Sequence, residues 1–257
     1  MYGINEKLLK KPYRAYVLLS GGVDSTTCLF KAIEHMKSVD GVVEAFSMDY
    51  GQRHSTEMAR ARLICSKVGV AHSVINMQGL MGTTSMLTDA SQEVPDISYA
   101  DISGVSPTYV PFRNGLMLSR LAAKAQEYVT TVIKDFEKEA GEHAPQSYTE
   151  DLVTLYFGAH AEDAQNWAYP DCTPEFAGAM ANAIYIGTYR TVRLLTPFNY
   201  STKGEIITAG AKLNVPYELT WSCYKGDEKH CGVCPTCRAR KEAFKEAGVV
   251  DPTEYAQ

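Results

Sequence analysis

Apolar and polar positions alternate along this chain in two rhythms, and the switches between them predict strands and helices in turn. Residues 13–19 (YRAYVLL) predict a buried strand. A Gly-rich turn then leads into a helix beginning near Asp24, with Cys28, Leu29, Ile33 and Met36 at helical spacing. A second strand is expected at 42–48 (VVEAFSM) and a third at 71–77. Between them, 55–68 predicts a helix with Met58, Ala61, Leu63, Ile64 and Val68 along one broad side. Further helices are expected over 114–128, 174–185, 202–213 and 236–247, with strands at 152–157 and 193–196. Thr202-Lys203-Gly204-Glu205 has the form of a capping box, in which threonine and glutamate satisfy free amides reciprocally. Strands alternating with helices require right-handed crossovers, so the expected fold is α/β, with a mostly parallel sheet covered on both faces. The stretch 79–107 is rich in Gly, Ser, Thr, Asp and Pro and lacks periodicity, which makes it a candidate lid.

Composition narrows the class. The chain has 257 residues, 45% hydrophobic and 21% charged, enough for one large domain with a full core. A net charge of −5 gives no reason to expect nucleic acid as a direct partner. No apolar run approaches the roughly 20 residues of a membrane span, and the N-terminal sequence lacks the apolar centre of a signal peptide. Four of the seven cysteines crowd near the C-terminus, a pattern that fits a bound metal in a reducing compartment better than a disulfide framework. The cytoplasm is the expected location.

Two motifs carry chemistry. Ser20-Gly21-Gly22-Val23-Asp24-Ser25-Thr26 follows an apolar strand and opens a helix. Glycines admit an anion to the backbone amides, the helix N-terminus adds partial positive charge, and Ser25 and Thr26 offer hydroxyls. Asp24 is well suited to cap that helix. A plain strand-to-helix turn would not need this whole run. The lysine of a Walker loop is missing, and so is the Gly-x-Gly-x-x-Gly of a dinucleotide site. In the second motif, Cys223, Cys231, Cys234 and Cys237 supply four thiols within fifteen residues. Four thiolates close a tetrahedral shell around zinc and leave no place for water, so a structural zinc is expected. An iron–sulfur cluster and a redox disulfide are the alternatives, but ferredoxin spacing puts the next cysteine downstream, whereas here it lies upstream.

The Ser-Gly-Gly-x-Asp-Ser run resembles the signature of the PP-loop ATP pyrophosphatases. That resemblance implies a Rossmann-like sheet of the adenine nucleotide α-hydrolase type, which grips the pyrophosphate of ATP and transfers AMP to a substrate oxygen. More specifically, the chain resembles the 7-cyano-7-deazaguanine synthase family of queuosine and related deazapurine biosynthesis. The resemblance is carried by SGGVDSTTCL at 20–29, YGQRHS at 50–55, VPFRN at 110–114, GAHAED at 158–163, YPDCTPEF at 169–176, TPF at 196–198, ELTWSCY at 218–224 and CGVCPTCRARKEAF at 231–244. These segments cover nearly the whole chain in the family's order. The implied reaction turns 7-carboxy-7-deazaguanine, ammonia and ATP (with magnesium) into the 7-nitrile through an amide. A homodimer is implied as well. Residues 1–217 would form the ATP-binding catalytic domain and 218–257 the zinc-binding region. Residues 129–149 are longer than the family pattern suggests and read as a charged surface helical insertion.

On this basis Ser20, Gly21, Gly22, Asp24, Ser25 and Thr26 are expected at the ATP pyrophosphate, with Lys203 as a further phosphate candidate. Arg53 and Arg113 are expected to meet a phosphate or the substrate carboxylate. Glu162, Asp163 and Asp171 are candidates for the guanine-like edge, whose N–H donors a carboxylate accepts, and Tyr169 for stacking on the base. Blander roles compete: surface placement for the arginines, a capping or solvated role for His54, helix capping for Asp171, and packing for Cys172, Tyr99, Tyr109 and Trp167. Two other functions stay open at this point. One is a PP-loop enzyme that stops at the amide or passes the activated base to another acceptor. The other is a non-enzymatic zinc module that binds nucleic acid.

Overall fold

The computed structural model describes residues 10–51, 56–81, 85, 105–164, 167–225 and 228–257. Arg53, His54, Tyr99 and most of the expected lid lie outside the described residues. Five parallel strands, β1 (Arg14–Leu18), β2 (Val42–Asp49), β3 (Ala71–Asn76), β4 (Val153–Tyr156) and β5 (Val192–Leu195), form one sheet in the order β3-β2-β1-β4-β5. Both neighbours of β1 run in register with it, Arg14 lying opposite Val42 on one side and Val153 on the other. The α/β expectation is met.

The helices are α1 (Val23–Ser38), α2 (Thr56–Val68), α3 (Arg113–Ala140), the single turn α4 (Gln146–Thr149), α5 (Pro174–Gly187), α6 (Lys203–Lys212) and α7 (Pro235–Glu246). Period-two alternation in β1 divides them between the two faces of the sheet. Ala15, Val17 and Leu19 meet Cys28 and Leu29 of α1, Ile64 of α2 and Ile206 of α6. Tyr16 and Leu18 meet Leu118 and Leu121 of α3 and Ile184 of α5 on the other face. The order in which successive strands are added reverses between β1 and β4, the place where open α/β sheets bind ligands.

Residues 129–140 are helical, but they do not form a separate surface element. They are the last turns of α3, and Val129 and Phe136 are buried in the core. The helix stops at Gly141, which adopts a left-handed conformation (φ 73°). The Thr202 capping box is present in full, with the Glu205 amide donating to Thr202 Oγ1 at 3.2 Å and the Thr202 amide donating to the Glu205 carboxylate at 2.9 Å.

Candidate active site

The phosphate turn leaves β1 at the point of reversal. Gly21 has φ +90°, and an added Cβ would lie 2.5 Å from the Glu57 carbonyl oxygen of α2, so only glycine lets the turn pass there. Gly22 stands at the N-cap of α1 with no side-chain cap, and the first amides of the helix have no intrahelical acceptor. Asp24 thus does not cap the helix, contrary to the expectation. The start of α1 carries no N-cap side-chain hydrogen bond, and the Asp24 carboxylate turns instead to Lys203 and His160. Ser25 organises the turn, its hydroxyl accepting from the Ser20 amide at 3.2 Å and sharing a 3.0 Å hydrogen bond with Ser20 Oγ.

A cleft of about 290 Å³ opens over this turn at the carboxyl ends of β1, β2 and β4. Ser20, Gly22, Asp24, Ser25, Arg113 and Asp163 all line it, together with Phe46, Tyr50, Glu57 and Tyr224. Arg113 reaches it because Phe112, before α3, takes a left-handed φ of 54° and turns the chain sharply. The Arg113 guanidinium donates to the Tyr50 hydroxyl at 3.2 Å. Burial would lower its pKa, but the neighbouring Tyr50, Cys172 and Asp171 more than offset that, so the cation persists.

Asp24 anchors a charged cluster behind the turn. Its Oδ2 lies 3.5 Å from Lys203 Nζ and 3.5 Å from His160 Nε2, and the same histidine nitrogen is 3.3 Å from Asp163 Oδ2. Burial would raise the Asp24 carboxyl, but Lys203 and His160 outweigh it and hold the carboxyl below the ordinary carboxylate range. Burial likewise opposes the charge on Lys203, yet Asp24, Asp163 and Glu162 raise its pKa. His160 was not singled out from the sequence. Burial lowers its affinity for a proton, while Asp163 and then Asp24 raise it, with a net upward shift. A raised folded pKa adds stability that is complete below the unfolded value of about 6.5. That stability is lost as pH climbs through the folded value. His160→Gln should therefore flatten the alkaline decline of Tm with pH; an unchanged Tm–pH curve would refute this ion-pair role.

Most other candidates sit outside the cleft lining. Thr26 is fully buried and does not line the cleft, because helical spacing turns it into the core. Lys203 stands behind Asp24 and does not itself line the cleft. Glu162 accepts the Lys203 backbone amide at 2.7 Å, so this carboxylate serves the start of α6. Asp171 accepts the Asn114 amide at 2.9 Å and caps α3; Thr173, not Asp171, caps α5. Neither acid lines the cleft, which leaves Asp163 as the member of the expected trio that does. Tyr169 shares a 2.5 Å hydrogen bond with Thr108 and is also outside the cleft lining. The Cys172 thiol accepts from the Asn114 side chain at 3.2 Å, and burial pushes its pKa well up, which suits packing and not reactivity.

The four clustered cysteines converge. One Sγ from each of Cys223, Cys231, Cys234 and Cys237 lies within 4.8 Å of the others, with pairs at 3.9 and 4.0 Å. Zinc–sulfur bonds of about 2.3 Å place tetrahedral sulfurs about 3.8 Å apart, so the set fits a metal of that kind. Backbone amides of Lys225 and Cys231 donate to Cys223 Sγ at 3.3 Å, which favours the thiolate.

The chain is an α/β protein whose parallel sheet carries an uncapped helix start at its point of reversal, with an arginine in the same cleft and a four-cysteine cluster whose neighbour Tyr224 also lines it. The chain belongs to the family described as queuosine biosynthesis protein QueC, whose model matches residues 14–248. It is 40% identical over 245 residues to a 7-cyano-7-deazaguanine synthase of Marinomonas sp., covering 94% of this chain and 98% of that protein. It is 41% identical over 247 residues to the synthase of the same name from Thermoplasma acidophilum, covering 94% and 92%. The family expected from the motifs is the family found.

Proposed function

We propose that the chain is an ATP-dependent ligase that converts 7-carboxy-7-deazaguanine and ammonia into 7-cyano-7-deazaguanine through an adenylated carboxylate and an amide. The observation that carries this reading is that residues at the open start of α1 and Arg113 line one and the same cleft. A carboxylate resists ammonia because its carbon is electron-rich and lacks a leaving group; adenylation supplies one. The protein's part is then to position the reactants and neutralise charge.

In this reading the turn at Ser20, Gly22 and Ser25 receives the pyrophosphate of ATP, and Gly21 fixes its path. Lys203 acts through Asp24. Arg113 neutralises the substrate carboxylate, Arg53 assists at a phosphate, and Asp163 accepts from the guanine-like edge. The Asp24 Oδ1 atom is buried and takes no hydrogen bond among the described residues, so it suits the magnesium that accompanies ATP. Magnesium there would screen phosphate charge. Zinc in the four-thiolate site would be structural, holding residues 218–257 against the catalytic unit. The working enzyme is a cytoplasmic homodimer, a state that sedimentation measures directly.

Incubation with ATP, ammonium and 7-carboxy-7-deazaguanine should yield the nitrile by mass, with two AMP formed per product. Amide as the final species would overturn this reading. Among the described residues no helix is long and apolar enough to cross a membrane.

A further inference from the structure

One carboxylate in the cleft serves neither the phosphate turn nor a helix cap. Glu57 lies in the first turn of α2 and lines the cleft, yet its side chain forms no hydrogen bond or ion pair among the described residues. Its backbone carbonyl packs on Gly21, so this side chain is carried beside the phosphate turn. Arg113 from α3, Tyr50 after β2, Asp24 from α1, Asp163 and Cys172 after β4, and Tyr224 face the same space. Burial dominates and raises the Glu57 carboxyl to about 7, with Arg113 opposing the shift. A carboxyl so placed exchanges protons near neutrality.

The reading of the chain as a ligase creates a need for such a group. Resting on that reading, we propose that Glu57 is the catalytic base that accepts the protons shed by the nitrogen in both halves of the reaction. In the first half, the ammonia lone pair forms the C–N bond. The C–O bond to AMP breaks with its electron pair on the phosphate oxygen, and one N–H proton passes to the Glu57 carboxylate. In the second half, ATP adenylates the amide oxygen and releases pyrophosphate. The nitrogen then gives up its two protons in succession, the C–O bond to AMP breaks, and the C≡N bond forms. Between transfers Glu57 returns each proton to solvent.

The other groups in the cleft are poorly suited to this task. Lys203 and His160 keep Asp24 ionised, which makes it a weak base. Arg113 retains its proton, and burial pushes the Cys172 thiol well up. Asp163 is engaged by His160.

The test separates activation from amination in Glu57→Gln and Glu57→Asp. Carboxylate-dependent exchange of pyrophosphate into ATP, measured without ammonia, reports adenylation. Amide and nitrile, measured by mass, report the amination and the dehydration. Glu57→Gln should lose about 100-fold or more of product formation, the usual worth of a general base. Its pyrophosphate exchange should fall less than tenfold, and the acid limb near pH 7 should vanish from its residual rate. Glu57→Asp should keep that limb at a reduced rate. Because the surroundings of Glu57 disfavour its charge on balance, the neutral glutamine should melt no lower than the parent. Nitrile formation by Glu57→Gln at the parental rate would overturn the proposal, and so would an equal loss of exchange or a lowered Tm. If the unaltered protein shows no carboxylate-dependent exchange, the ligase reading itself fails, and the base falls with it.

Discussion

Asp24→Asn should lower carboxylate-dependent AMP formation by about 100- to 1,000-fold, the scale on which a charged group aimed at a transferring phosphate acts. The substitution keeps the shape of the side chain and removes the anion on which Lys203 and His160 converge at 3.5 Å. Both partners of the Lys203 pair are about one-fifth exposed (18% and 22%), so water screens little of what is lost. Breaking such a pair from one side leaves an uncompensated cation, with an expected cost of about 2–4 kcal/mol. Adding Lys203→Met should recover part of that stability, because the stranded charge goes with it, while AMP formation stays low. The pH dependence comes from the depressed Asp24 carboxyl. Its stabilisation is present above the unfolded value of about 4 and disappears as pH falls through the lower folded value. The asparagine variant should therefore lack part of the parent's acid loss of Tm. An Asp24→Asn protein that forms AMP at the parental rate would remove Asp24 from the phosphate site.

The periodicity of apolar residues was enough to locate β1 to β5 and the long helices, because sheet and helix bury one face at a fixed spacing. It also continues into the stretch read as an insertion. Val129, Val132, Ile133 and Phe136 follow helical spacing, and the charges between them cover the exposed face of α3. Sequence reasoning weighted the charges and missed the stripe. The geometry of the Gly-rich turn after β1 and the convergence of the four cysteines were legible because each is a local run whose shape its own residues dictate. The acids were not. Glu162 and Asp171 cap helices whose starts lie 41 and 57 residues further along or back in the chain, a pairing that only the fold creates. Glu57 owes its raised carboxyl to burial and His160 its raised imidazole to the carboxylates of Asp163 and Asp24, surroundings that composition does not encode. The available signal was positional: first-turn residues after β2 and residues just after β4 stand at the reversal of the sheet.

Cys234→Ser should release the metal and lower stability by on the order of 3 kcal/mol, about 6–12 °C in Tm for a chain of this size. The effect should not stop at the cysteines. Trp221 is buried beside them, its indole N–H donating to the Cys223 carbonyl at 2.9 Å, while its backbone N–H donates to the Gly21 carbonyl at 2.9 Å. The thiolate cluster thus holds the residue that holds the phosphate turn. Tyr224, next to Cys223, lines the cleft directly. Loss of the metal should therefore raise the KM for ATP as well as lower Tm, and chelation of the parent protein should reproduce both effects. Unfolding should remain local, because a second anchor is independent of the metal. The buried Arg240 guanidinium donates to Thr220 Oγ1 at 2.7 Å and to the Tyr217 carbonyl at 3.0 Å, and pairs with Asp251 at 3.2 Å. Arg240→Met combined with Cys234→Ser should then free the whole C-terminal segment, at a cost beyond the sum of the single substitutions. A Cys234→Ser protein that keeps a full equivalent of zinc and melts with the parent would show that the metal is held by some other set of ligands.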